Sequence, residues 1–95
     1  MPSYLSLLRF TDKGAANLRK STSRAAAFAK AAAKHGVRVD AQCWTVGAYD
    51  GFLLLSADTE TKVLRCLADL VAGGNVRTET LRAFDAAEFA KITAA

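Results

Sequence analysis

Residues 37–57 read VRVDAQCWTVGAYDGFLLLSA, and the alternation within them decides the fold. Over 37–46, Val37, Val39, Ala41, Cys43 and Thr45 fall on one face of an extended segment. Arg38, Asp40, Gln42, Trp44 and Val46 fall on the other, because successive side chains of a strand point to opposite sides. The first set reads as the face toward a helix-covered core, which turns Trp44 away from the helices. The Asp50-Gly51 pair predicts a type I′ hairpin turn, since both residues tolerate positive φ. Residues 52–57 are apolar on both faces, the mark of a central strand covered on both sides.

Working outward, residues 4–10 (YLSLLRF) read as a first strand. Thr11 or Asp12 is placed to cap a short helical turn over 13–20. Alanine, lysine and arginine dominate 22–35, a helix with Ser21 as its cap and Leu18, Ala25, Phe28 and Ala32 as its apolar stripe. Gly36 ends it. Asp58 or Thr59 opens a second helix to Ala72, with Val63, Leu64, Leu67, Leu70 and Val71 facing inward and Gly73-Gly74 stopping it. Residues 75–84 alternate and are rich in threonine, which suits an edge strand. Asp85 and Glu88 form a capping box for a short terminal helix that Phe89 and Ile92 would pack down.

The order β-α-β-β-α-β predicts an α+β fold: a ferredoxin-like sandwich of one four-stranded antiparallel sheet with both helices on one face, plus the short C-terminal helix. At 95 residues the chain makes one domain, residues 1–95. No segment is left to cover the second apolar face of the third strand. The expected cover is a second copy, so a homodimer or higher oligomer.

The bulk composition excludes several classes. No apolar run is long enough to cross a bilayer, and no basic leader precedes an apolar stretch, so a cytoplasmic protein without membrane contact is expected. Cys43 and Cys66 are two isolated cysteines and His35 is the only histidine, which makes no metal-ligand cluster. The charge is +4, with residues 1–48 carrying eight basic against two acidic groups and residues 49–95 five against seven. The basic excess over 19–34 reads as a solvated helix face. An RNA-binding sheet would show aromatic residues for base stacking on its central strands, and the third strand here offers Phe52 followed by leucines; no nucleic-acid partner is expected. No Walker loop, nucleophile elbow or dinucleotide fingerprint occurs, and no cofactor is expected.

Two longer motifs carry a resemblance. Residues 44–51 (WTVGAYDG) resemble the signature of the GYD family, and 75–84 (NVRTETLRAF) resemble its C-terminal strand motif. Residues 10–14 (FTDKG) and 21–24 (STSR) fit the same family, although Thr22 stands where many members carry proline. The resemblance implies a small bacterial protein of the dimeric α/β-barrel kind, in which two sheets pack face to face. It implies no particular reaction.

Four residues are nominated for a ligand site between such sheets. Tyr49 would hydrogen-bond a ligand at the cavity mouth, with Asp50 as acceptor or base. Trp44 would form one apolar wall or pack in the interface. Arg82, on the opposite face of its strand from Arg77 and Glu79, would hold an anion if it points inward. Catalytic residues are not identifiable. The expected function is small-molecule binding by a homo-oligomer. The alternative is a cofactor-independent oxygenase- or isomerase-like enzyme using the same four residues, supported by fold analogy alone.

Overall fold

Alternating apolar residues make strand β1 (Ser3–Phe10) the middle of the sheet, with β3 (Gly51–Ser56) on one side and β4 (Val76–Ala83) on the other. Strand β2 (Arg38–Trp44) closes the far edge, giving the order β2-β3-β1-β4 with every neighbour antiparallel. This is the expected ferredoxin-like α+β arrangement. It is seen in a computed structural model that describes residues 1–94.

A short helix α1 (Asp12–Ala16) and a 3-10 turn (Leu18–Lys20) lead into α2 (Ser21–Lys34). Thr11 caps α1 through the Gly14 N–H. Ser21 is not a cap, because the 3-10 turn runs directly into α2. The end of α2 is sealed by two backbone bonds, Gly36 N to Ala33 O and Val37 N to Ala32 O. Helix α3 (Glu60–Ala72) is capped by Thr59, and α4 (Ala86–Thr93) by the reciprocal Asp85–Glu88 box.

Helix α2 lies over β2 and α3 over β4, both on one side of the sheet. The core between them contains Tyr4, Ala32, Val37, Leu53, Leu55, Ala57, Val63, Cys66 and Leu67. Cys66 takes the place expected for Leu64 and Val71, which stay exposed, as does Leu18. Among the buried polar side chains, Ser6 shares a 3.2 Å hydrogen bond with Thr80.

The structure departs from the regular reading of residues 37–46 at one point. A register shift between Val39 and Ala41 leaves Asp40 as an extra residue. Val39 pairs with Leu55 on the helix side, but Ala41 pairs with Leu54 and Cys43 with Phe52 on the opposite side. Gln42 and Trp44 therefore turn toward the helices, and the Gln42 amide donates to Ala25 O in α2 at 3.0 Å. This reverses the faces expected for Ala41, Cys43, Gln42 and Trp44.

The hairpin also differs. Trp44 pairs with Gly51, so residues 45–50 form the connection, and no two-residue type I′ turn exists. Its positive φ lies at Gly47, at 129°. Gly51 is extended and answers a different demand: a Cβ there would sit 2.5 Å from Cys43 O.

The other face of the sheet, formed by Leu5, Leu7, Phe52, Leu54 and Leu81, has no helix over it among the described residues. The molecule is 17 Å across its thinnest dimension, enough for one sheet and one helix layer. Helix α4 does not pack down as expected. Phe89 and Ile92 are 55% and 58% exposed.

Leu55 is fully buried at the centre of the core. Leu55→Ala is expected to lower stability by about 2–5 kcal/mol, read as a fall in the urea unfolding midpoint. Leu64→Ala, on the exposed side of α3, is expected to leave the midpoint nearly unchanged.

Candidate functional site

The loop 45–50 crosses one end of the sheet and divides the nominated residues between its two sides. Tyr49 lies with Arg9 and Glu79, which belong to the open face. Its hydroxyl donates to Glu79 Oε2 at 2.5 Å, and the Arg9 guanidinium sits 4.7 Å from the ring centroid. Arg9 Nε also donates to Ala48 O at 3.0 Å, which ties the loop to β1. The hydrogen bond to the Glu79 carboxylate pushes the Tyr49 phenol above its ordinary pKa; burial and the Glu79 charge add to the rise, and Arg9 opposes it. Near neutral pH Tyr49 is thus a hydrogen-bond donor held in place, not a phenolate.

Asp50 extends the pairing of β1 with β3 by one step. Its N–H donates to Leu8 O at 2.8 Å, its carbonyl accepts from Thr45 N at 3.0 Å, and its Oδ2 accepts the Phe10 N–H at 2.8 Å. The carboxylate thus closes the end of the sheet, where Phe10 would lack a strand partner on that side.

Trp44 is on the helix side, 48% exposed, at the mouth of a cavity between α2 and the sheet. Leu8, Phe28, Gln42 and Asp50 line the same cavity. Arg82 is at the far end of β1, where it pairs opposite Tyr4. Its guanidinium lies 5.5 Å from the Tyr4 ring centroid and 4.3 Å from that of Phe84. It donates to Ser3 O at 3.1 Å and to Ala83 O, and stands 3.9 Å from Glu88 in α4.

The structure therefore brings Trp44 and Asp50 to one cavity, sets Tyr49 on the opposite face, and places Arg82 elsewhere. Arg82 faces the helix side, not the open face. Glu79, Gln42 and Phe28 lie beside the nominated residues but are not among them. Glu79 was visible only as a neighbour of Arg77, because its pairing with the loop depends on strand register. Trp44 and Val46 on an otherwise polar face were the one sequence hint of the bulge.

His35 ends α2 and lies 3.9 Å from Asp69, both exposed. Among the described residues no group of three or more His, Cys, Asp or Glu is placed to hold a metal. Burial pushes the Cys66 thiol above its ordinary pKa, whereas Cys43 is exposed on the open face.

The Tyr49–Glu79 bond has a pH signature. A raised tyrosine pKa means that its stabilisation is complete below the ordinary tyrosine pKa and is lost as pH climbs through the raised value. Glu79→Gln is expected to move the Tyr49 titration down toward the ordinary value, followed by tyrosinate ultraviolet absorbance.

Residues 4–93 match the family model of the GYD domain. A protein of Thermus thermophilus, described as a glutamine synthetase and cystathionine beta-lyase binding protein, is 34% identical over 89 residues, covering 93% of this chain and 94% of that protein. No solved structure matches the chain. A match spanning every strand and helix, together with a relative similar over nearly its full length, means that the chain belongs to the GYD domain family.

Proposed function

We propose that this chain is a binding protein that acts as a homodimer and docks on metabolic enzymes, with glutamine synthetase and cystathionine beta-lyase as the first partners to test. The observation that carries the reading is the near full-length relative whose name records binding to those two enzymes. The site chemistry agrees with it. Asp50 and Tyr49, the acid–base pair an enzyme would have used, are both held in hydrogen bonds to the chain itself.

The homodimer closes the open sheet face. Leu5, Leu7, Phe52, Leu54 and Leu81 form one apolar surface there, of the kind that soluble proteins cover. Arg9, Arg77 and Glu79 stand at one end of it. A rim carrying both signs of charge is self-complementary under two-fold symmetry. A small molecule held between two such sheets would meet Tyr49, Arg9 and Glu79. Trp44, Asp50 and Arg82 would not line that space.

Two measurements test this. Sedimentation is expected to give twice the 10.1 kDa chain mass, and Leu54→Glu to give a folded monomer. Cys43, on the open face, would be protected from a thiol reagent in the dimer and react in Leu54→Glu, while buried Cys66 reacts slowly in both. A monomeric wild type with a reactive Cys43 would overturn the dimer. Separately, immobilised protein is expected to bind purified glutamine synthetase or cystathionine beta-lyase from the same genome saturably. Retention of neither would sink the enzyme-docking reading.

A further inference from the structure

The proposed homodimer uses the open sheet face, which leaves the layer of helices for a partner. The charge of that layer is one-sided. Residues 13–39 contain seven lysines and arginines and no acid. Arg24 is spent on the fold, with Nη1 donating to Asn17 O at 2.8 Å and Nη2 buried. Arg19, Lys20, Lys30 and Lys34 are exposed. Among the described residues no carboxylate oxygen lies within 4.0 Å of any of these four. Lys30 and Lys34 are four apart on α2, where like charges repel. A helix that is merely solvated gains by mixing signs along its face, and α2 forgoes that gain.

The same layer carries a groove of about 310 Å³ between α2 and α3. Ala27, Phe28 and Ala31 line it from α2, and Cys66 and Leu70 from α3. Its volume is about twice the roughly 150 Å³ that accepts benzene, which is room for two large apolar side chains. Lys30 and Lys34 follow Ala27 and Ala31 by three residues, so they neighbour the lining on the helix surface. Asp69 is the one acid of the lining, and His35 stands 3.9 Å from it. Arg65 precedes Asp69 by four residues on α3 and is exposed, with no carboxylate within 4.0 Å among the described residues. Cations therefore stand on both helices that form the groove.

The chain has no acidic face of its own to meet this surface. Seven of its nine acids already serve an ion pair, a hydrogen bond or a helix cap within the chain. Asp12 and Glu60 are the other two, each alone in the first turn of its helix. A second copy thus offers no complement. A membrane surface calls for bulky apolar residues among the lysines, and the exposed positions of α2 between them are alanine, serine and threonine. A nucleic acid is held through its phosphates and has no use for an apolar groove. An acidic protein segment with apolar side chains meets both features.

We propose that the groove between α2 and α3 docks an acidic amphipathic helix of a partner protein. Its apolar side chains would enter against Ala27, Phe28 and Leu70, and its carboxylates would face Lys30, Lys34 and Arg65. The proposal rests on the enzyme-docking reading and adds the surface that does the docking.

Two assays test it. In the first, a fluorescent peptide of about 18 residues, made of glutamate, alanine and leucine with the leucines at helical spacing, is titrated against the full chain and followed by anisotropy. It is expected to saturate, and to weaken as salt is raised. Lys30→Glu is expected to weaken it by about fivefold or more, since like charges then face each other. Lys91→Glu, the same charge change on exposed α4, is expected to cost less than about twofold. Ala27→Gln/Ala31→Gln keeps the charge, replaces two exposed residues with good helix formers and fills the groove; it is expected to weaken the peptide as well. In the second assay, purified glutamine synthetase and cystathionine beta-lyase replace the peptide. Binding that Lys30→Glu and Ala27→Gln/Ala31→Gln leave unchanged would keep the enzyme-docking reading and overturn the groove. Retention of neither enzyme would sink that reading, and the peptide would still decide the groove. The proposal fails if the peptide does not saturate, if Lys91→Glu weakens it as much as Lys30→Glu, or if filling the groove has no effect. It fails equally if duplex DNA binds at lower concentration than the peptide, which would assign the face to phosphates.

Discussion

One extra residue in a strand exchanges its two faces, and Asp40 does this to the edge strand of the sheet. Everything that follows in the strand depends on it. Gln42 reaches the backbone of α2 because it has been turned inward, and that bond anchors the helix to the sheet where alanines supply little side-chain packing. Trp44 comes to the helix side for the same reason, and its ring forms a cavity wall rather than part of the open sheet surface. Ala41 and Cys43 pass to the open side, where their small side chains leave Phe52 and Leu54 prominent.

The second constraint is that two helices cover one face of a four-stranded sheet and no more. The core is accordingly thin, and the apolar residues of the opposite face are left toward solvent in a single chain. The end of that surface is not random. Arg9 is held at once by a cation–π contact and by a backbone carbonyl, and Tyr49 by Glu79, so the charged corner is ordered before any partner arrives. Helix α4 leaves Phe89 and Ile92 exposed as well.

The loop between β2 and β3 separates two kinds of chemistry within a few residues. Tyr49 joins the charged corner of the open face, and Asp50 lies against the end of β1 and the cavity under α2. The loop could be picked out of the sequence as the candidate site, and residues 44–51 carried the family resemblance. Its division could not. Which side a loop residue takes depends on the strands it joins, and Glu79, the partner that fixes Tyr49, is 30 residues away. Arg24 was equally hidden. A basic residue in an alanine-rich helix reads as solvated surface, yet one of its nitrogens is buried in the fold.

By itself the sequence determined the element order, the capping box at Asp85, the stop at Gly36, the central place of β3 and the edge place of β4, and it narrowed the other two caps to Thr11 or Asp12 and Asp58 or Thr59. These are set by local periodicity, capping chemistry and backbone freedom within a few residues of each position. The tertiary structure alone decided the bulge at Asp40, the side taken by Trp44, the extended Gly51 under Cys43 O, and the buried nitrogen of Arg24. The first three depend on the register between segments distant in the chain. Register is chosen by the packing of the whole sheet and helix layer, which no short stretch of sequence contains.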